Sequence, residues 1–287
     1  PKKIMAWKHL YKFPKFLIDN LEYAKELIKK TLQKAKNPAV ACSFGQDSML
    51  VLHLVRQFRP NIQVIFCDSK TEYPETYKFI REYTKTHKIN LYITKPKRNF
   101  FWIVKRHGYP MTSRCSTVKY DRKYLPNHYC CTYLKQRPLK QAYKKLKIDY
   151  VFDGMRADES YIRARTLFKY GPIHWYKTGN VYRVHPLIWF TYDGVKKYSE
   201  LLKVPRNPIY EKGNGKEKTR SGCWPCTMAW KYGKGEYLLK YYPKLWKALL
   251  KSGFAKALLK RNNIVIDDEK IIEEKLDNNP SFFNNLI

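Results

Sequence analysis

From Asn37 onward the sequence sets short apolar runs against helix-length stretches, and this alternation limits the fold more than any other feature. Ala39 to Ser43, Ile62 to Cys67, Asn90 to Thr94 and Asp149 to Asp153 read as buried strands, while Asp47 to Arg59, Pro74 to Lys88 and a stretch around Cys131 to Lys147 read as helices. Apolar strands separated by helices predict an α/β fold: a doubly wound, mostly parallel sheet covered on both faces. Such sheets bind ligands at the carboxyl ends of their strands. Ahead of them, residues 15–36 carry Phe16, Leu17, Leu21, Ala24, Leu27, Ile28 and Leu32 at helical spacing, which predicts an amphipathic helix that packs on the sheet or forms a homodimer contact. The expected layout is a helical segment over 1–36, a nucleotide-binding domain over 37–205 and a helical, cysteine-bearing region over 206–287. No apolar run approaches the roughly 18–20 residues of a membrane span. The first residues, Pro1 to Lys8, lack the apolar core of a secretion signal, so a reducing cytoplasmic setting is expected.

Charge adds a partner to this scheme. Lys and Arg number 57 against 24 Asp and Glu, a formal net charge of +33. Self-repulsion of that size favours a polyanionic partner, and nucleic acids and nucleotide phosphates are the natural ones. The alternative is a solvated lysine surface of the heat-adapted kind, but there Glu rises with Lys. Basic residues also alternate with rings, as in Lys95 to Trp102 and Trp230 to Lys234, a pairing suited to backbone contact with base stacking.

The segment Ala39 to Ser48 runs from a strand through Ser43, Phe44, Gly45 and Gln46 into a helix that opens with Asp47 and Ser48. Backbone N–H groups and the positive end of the helix dipole then converge where a phosphate can sit. As a bare pattern this is equally a turn with an N-cap. Ser43-Phe44-Gly45-Gln46-Asp47-Ser48, however, resembles the pyrophosphate loop shared by ATP pyrophosphatases and the phosphoadenosine-phosphosulfate (PAPS) reductase family, of the adenine nucleotide alpha-hydrolase-like superfamily. Four further segments resemble that family in the same order. Asp68 to Thr76 resembles its Asp-Thr-Gly and Phe-Pro-Glu-Thr loop, and Gly154-Met155-Arg156, with Glu159, Ser160 and Arg163, its Gly-x-Arg-x-x-Glu-Ser-x-x-Arg loop. Pro186 to Asp193 resembles the Pro-Leu-x-x-Trp-Thr-x-x-Asp element, and Asn207 to Tyr210, with Gly222 to Thr227, its Asn-Pro-x-Tyr and Gly-Cys-x-x-Cys elements. The resemblance implies a nucleotide site made of Ser43, Phe44, Gly45, Gln46, Asp47, Ser48, Asp68, Gly154, Arg156 and Ser160. Arg156 and Arg163 would oppose charge during transfer. Lys70 stands where the family often has Gly, which predicts a different course for that loop. Phe44 is similar to sulfonucleotide reductases and Asp47-Ser48 to ATP pyrophosphatases, so the nucleotide is ATP, accompanied by Mg2+, or PAPS or adenosine phosphosulfate (APS).

Cys42 and Cys67 sit in apolar strand segments, as small hydrophobes do. Cys130-Cys131 and Cys223-x-x-Cys226 form two close pairs that can ligate an iron–sulfur cluster or a tetrahedral zinc, or remain thiols. Adjacent cysteines suit zinc poorly because their side chains diverge. The arrangement also resembles the cluster-bearing APS and PAPS reductases, which implies a [4Fe–4S] cluster on Cys130, Cys131, Cys223 and Cys226. Those reductases attack with a cysteine in a C-terminal Glu-Cys-Gly-like segment, and no cysteine follows Cys226 here. Cys115, between Arg114 and Lys119, is the remaining candidate for a reactive thiolate. Three readings follow. One is an ATP-dependent sulfurtransferase acting on tRNA or DNA, similar to enzymes of tRNA thiolation or DNA phosphorothioation and served by a sulfur- or electron-donor protein, with Asp47, Arg156, Arg163 and Cys115 at the chemistry. The second is an APS or PAPS reductase producing sulfite, and the third a non-catalytic nucleotide-binding module.

Overall fold

The computed structural model describes residues 20–110, 129–211, 222–226, 234–254 and 257. The chain divides into two compact units. One comprises Pro1–Cys67, Glu75–Thr94 and Pro138–Pro208, and the other Asp68–Pro74, Lys95–Arg137 and Ile209–Ile287.

The first unit holds the sheet. Helix α1 (Leu21–Lys34), capped by the Asn20 side chain accepting from the Tyr23 N–H, leads to β1 (Ala39–Ala41). Then come α2 (Gln46–Phe58), β2 (Gln63–Cys67), α3 (Pro74–Thr86) and β3 (Leu91–Thr94). In the second unit, α4 (Phe100–His107) starts on the Asn99 side chain, which accepts from the Trp102 N–H. A helical turn at Tyr129–Cys131 and a π-helical stretch at Thr132–Gln136 precede α5 (Arg137–Lys145). The sheet resumes with β4 (Tyr150–Phe152), α6 (Tyr161–Tyr170), the hairpin β5 (Ile173–Tyr176) and β6 (Val181–Val184), and α7 (Tyr192–Leu201). Helices α8 (Lys234–Tyr241) and α9 (Pro243–Lys251) belong to the second unit.

The six strands lie in the order β3-β2-β1-β4-β6-β5, all parallel neighbours except the antiparallel edge strand β5. The doubly wound, mostly parallel α/β fold is therefore present as the alternation predicts. Period-two side-chain direction divides the strands between two cores. Val40, Val64, Phe66, Phe152 and Val184 pack with Ala24 and Ile28 of α1 and Leu50 and Leu54 of α2. Ala39, Ile65, Val151 and Val181 pack on the opposite face with Ala142 and Tyr143 of α5. The chain leaves β1 for β2 on one side and meets β4 on the other, so the order reverses between β1 and β4. That reversal opens a crevice at their carboxyl ends.

Four features escape the sequence reading: α4, α6, the β5–β6 hairpin and α7. Lys95 to Trp102, read as a basic and aromatic surface, leads into α4, with Lys95, Lys97, Arg98 and Phe101 exposed. Phe100 is core there, and Trp102 is flanked by Arg98 and Arg106 at 4.8 and 5.8 Å from its ring centre. Among the described residues no helix is long and apolar enough to cross a membrane.

Candidate active site

At the carboxyl end of β1 the chain turns through residues 42–45 into α2. Phe44 makes the turn with φ of +57°, a backbone region that costs a non-glycine residue about 1–2 kcal/mol. Its ring is fully buried, edge-on to Phe66 and Tyr83 at 5.6 and 6.2 Å between centroids. Phe44 therefore contributes its backbone to the loop and its side chain to the core. Asn207, itself buried, clamps the turn from outside: its Nδ2 donates to the Phe44 carbonyl at 3.2 Å and to Thr76 Oγ1 at 3.1 Å. Gly45 is the N-cap of α2 and has no side chain to occupy the helix end, so the first N–H groups point toward the crevice. Ser48 Oγ donates back to the Gly45 carbonyl at 2.9 Å and lies 3.3 Å from Ser43 Oγ. Gln46 also walls a pocket of about 240 Å3 with Met49, Lys196, Ser199, Lys203 and Arg206.

The loop after β4 forms the other wall. Gly154 lies so close to the phosphate loop that a Cβ there would meet the Asp47 carbonyl carbon at 2.8 Å and the Ser48 nitrogen at 2.9 Å. Arg156 is buried, with Nε 2.6 Å from Asp47 Oδ1 and Nη1 2.8 Å from Asp158 Oδ2. Burial pushes the Asp158 carboxyl up against the opposing pull of Arg156. The guanidinium thus ties the N-terminus of α2 to the β4 loop, with a carboxylate on each side of it. Ser160 is the N-cap of α6, accepting from the Arg163 N–H, while Arg163 pairs with Glu159 one turn back.

Behind this loop stands a network that the sequence did not disclose. Asp153 Oδ2 accepts from Arg183 Nε at 3.0 Å and Nη2 at 2.5 Å, Oδ1 lies 2.7 Å from His185 Nδ1, and Oδ1 also accepts the Met155 N–H. Burial raises the Asp153 pKa, but the adjacent Arg183 and His185 outweigh it and hold the carboxyl well below the usual range. The strand ends β4 and β6 are so joined by charge, directly under Gly154. Residues 151, 153, 181, 183 and 185 share one face of the sheet, a parity that was the available signal for this pairing.

Within the second unit, the backbone turn at Lys70 has φ of +58°, with its N–H donating to Asp68 Oδ1 at 2.9 Å. Lys70 thus adopts the left-handed conformation that a Gly takes freely, so the expected change of course is not forced by its backbone. The same loop carries Ser69, whose Oγ is 3.8 Å from Cys223 Sγ, and the buried Glu72, which accepts from Ser69 and lies 3.8 Å from Lys135 Nζ. The Trp224 N–H donates to the Thr71 carbonyl at 2.8 Å, which fixes the Cys223-x-x-Cys226 turn on this loop.

Cys130, Cys131, Cys223 and Cys226 are free thiols of this same unit. Burial, then the neighbouring Cys131, Cys226 and Cys223, pushes Cys130 up to about 12, and burial with Cys226 and Cys223 raises Cys131. Among the described residues no three His, Cys, Asp or Glu side chains converge tightly enough for a single metal ion. A cubane spreads its four ligands farther apart than one ion does. Two cations also stand by: Lys135, whose pKa is raised chiefly by Cys223, and Lys234, whose Nζ donates to the Cys223 carbonyl at 2.6 Å. Four cysteine sulfurs, which bound iron would hold as thiolates, with Lys135 beside them form a donor set that fits an anionic [4Fe–4S] cluster. Cys115 lies outside the described residues.

The description "Phosphoadenosine phosphosulfate reductase domain" matches residues 37–229, which span both the phosphate loop and the four cysteines. The chain belongs to the PAPS reductase family. By this membership it is an enzyme. A phosphoadenosine 5'-phosphosulfate reductase of Xylella fastidiosa is 29% identical over 177 residues, 62% of this chain and 68% of the relative. A PAPS reductase structure from Candida auris aligns with a TM-score of 0.48 and 20% identity over 66% of this chain and 83% of its own. The U34-tRNA thiolase NcsA of Methanococcus maripaludis, a structure with its [4Fe-4S] cluster, aligns with a TM-score of 0.45 and 15% identity over 83% and 78% of the two chains. Both structural likenesses are too loose to carry chemistry across.

Proposed function

We propose that this family member adenylates a nucleic acid, tRNA or DNA, with ATP and then exchanges the activated oxygen for sulfur. Charge carries the reading. Arg156, the buried cation of the phosphate crevice, is already matched by Asp47 and Asp158, so a bound nucleotide uses little of the +33. The remainder suits a polyanionic substrate.

In this scheme the N–H groups at the start of α2, with Ser43, hold the β- and γ-phosphates, and Asp47, paired with Arg156, would be the carboxylate to hold a Mg2+ ion that offsets phosphate charge. An oxygen of the nucleic acid attacks the α-phosphorus, and the bond to pyrophosphate breaks with its electron pair leaving on pyrophosphate. A sulfur nucleophile delivered by a donor protein then displaces AMP. Arg163 is the candidate to offset charge in transfer, and Cys115 the candidate sulfur carrier. Cys130, Cys131, Cys223 and Cys226 would hold a [4Fe–4S] cluster, which supplies a redox-active metal surface able to bind sulfur.

Pyrophosphate release from ATP that depends on added tRNA or single-stranded DNA, with sulfur appearing in the nucleic acid, is the expected result. No release across both substrate classes overturns the reading. The name of the Xylella relative favours a second reading, in which PAPS or APS is reduced to sulfite. Sulfite formation with a thiol reductant and no pyrophosphate release would establish that reading instead. For the cluster, anaerobically prepared protein should be brown with about four irons, and Cys223→Ser should lower the iron content; a colourless protein carrying zinc refutes it.

A further inference from the structure

The end of the sheet away from the phosphate loop carries a feature that the nucleotide chemistry leaves unused. Tyr150, Tyr182 and Trp175 are register partners on three successive strands, β4, β6 and the edge strand β5. Their rings form a ladder: Tyr150 stacks on Tyr182 at 4.9 Å with planes 17° apart, and Trp175 meets Tyr182 edge-on at 4.9 Å. The inner ring is half-buried against the core, whereas Tyr182 and Trp175 are 40% and 48% exposed. Cross-strand aromatic pairs stabilise a sheet, but that role does not call for two large rings open to solvent, one on the edge strand β5 and one on its neighbour β6.

The surroundings of the ladder are cationic. Exposed Lys36 precedes β1, exposed Lys147 precedes β4, and exposed Lys177 lies in the β5–β6 turn. All three loops lie at the amino ends of the parallel strands β1, β4 and β6. Asn37 Nδ2 donates to the Leu146 and Lys147 carbonyls, which brings the first two loops together. The acid among them, Asp149, accepts from the N–H groups of Lys36, Asn37 and Tyr150 and so is engaged by backbone.

We propose that this ladder, with Lys36, Lys147 and Lys177, is a stacking platform for single-stranded nucleic acid. It would anchor the substrate at the opposite end of the strands from the phosphate loop, and the inference rests on the nucleic-acid reading above. Flat rings accept bases of any identity, while lysines track the phosphates. A protein segment pairing with the β5 edge would need no ring exposure and would gain nothing from the lysines.

The test is fluorescence-anisotropy titration of the full chain with labelled 20-nucleotide single-stranded RNA and DNA of mixed sequence, at several salt concentrations. Trp175→Ala with Tyr182→Ala should weaken binding at least about tenfold, since each base–ring stack is worth about 1–3 kcal/mol. Lys147→Glu with Lys177→Glu leaves the rings in place and should lower the salt slope by about one to two. Trp175→Phe should abolish part of the tryptophan quenching seen on titration. The preferred strand, RNA or DNA, identifies the source. Folded variants of both kinds that bind like the parent overturn the platform. Oligonucleotide binding that needs the rings, together with no pyrophosphate release, would defeat the sulfur-transfer reading and leave the platform standing.

Discussion

Gly154→Ala asks whether the phosphate loop and the β4 loop work as one body. The added methyl would stand 2.8 and 2.9 Å from the Asp47 carbonyl carbon and the Ser48 nitrogen, and 3.0 Å from Asp47 Cβ. Carbon contacts are most favourable at about 3.5–4.0 Å, so the overlap is about 0.7 Å or more. Two of these atoms are backbone at the start of α2 and have no rotamer by which to withdraw. Overpacking of this kind costs about 1–3 kcal/mol. It is relieved only by parting the Arg156–Asp47 contact and turning the helix N-terminus from the crevice. Nucleotide affinity should therefore fall by about tenfold to a hundredfold, measured by calorimetric titration with ATP and with PAPS. Gly171→Ala is the control, because its φ of +75° makes a side chain strained while nothing lies within 4 Å of the new atom. That variant should melt lower and bind nucleotide as the parent does. Parental affinity in Gly154→Ala for both nucleotides would refute the argument.

Asn207→Ala removes the donor to the Phe44 carbonyl and to Thr76; a loss of about 1–3 kcal/mol in chemical denaturation is expected, with weaker nucleotide binding as the left-handed turn loosens. Asp153→Asn breaks a buried pairing with Arg183 and His185, and should cost about 3 kcal/mol. Because the folded carboxyl titrates below its unfolded value, that stabilisation is complete above about pH 5 and fades only as pH falls below about 4; melting of parent and variant across pH 3–8 checks the direction. Lys70→Gly relieves about 1–2 kcal/mol of left-handed strain while adding about 0.4–1 kcal/mol of unfolded-chain entropy, so a gain of about 0.5 kcal/mol in stability is expected by the same measurement.

The strands were legible because their apolar runs are local, and Ala39, Ile65 and Val151 needed no knowledge of their neighbours to be placed inside. Helix α4 was obscured because Arg98, Arg106 and three aromatic residues resemble an exposed binding stretch until Asn99 is recognised as an N-cap. The β5–β6 hairpin was missed for a related reason: His174, Trp175 and Tyr176 are amphipathic residues that lack a clear apolar alternation. In the site, the Ser43–Ser48 turn could be read because one short segment builds it. Its clamps could not, since Asn207 and Asp153 act through partners that only the folded sheet brings near, and Gly154, though named by the resemblance, showed nothing of its close approach to Asp47 and Ser48. Asn207 did lie in the recognised Asn-Pro-x-Tyr stretch, but nothing local showed that its amide would face the Phe44 carbonyl.

The discontinuous second unit imposes a schedule on biosynthesis. Cys130 and Cys131 emerge from the ribosome well before Cys223 and Cys226, and β4, β6 and the helices between them are made in the interval. Closing so long a loop is entropically slow and rewarded only when its distal partners arrive. The sheet core can consolidate first, leaving the early cysteine pair without its later partners. On the proposed cluster reading, iron delivery follows the sheet, and truncation between the end of α7 at Leu201 and Cys223 should yield a sheet-bearing chain that lacks two of the four proposed ligands.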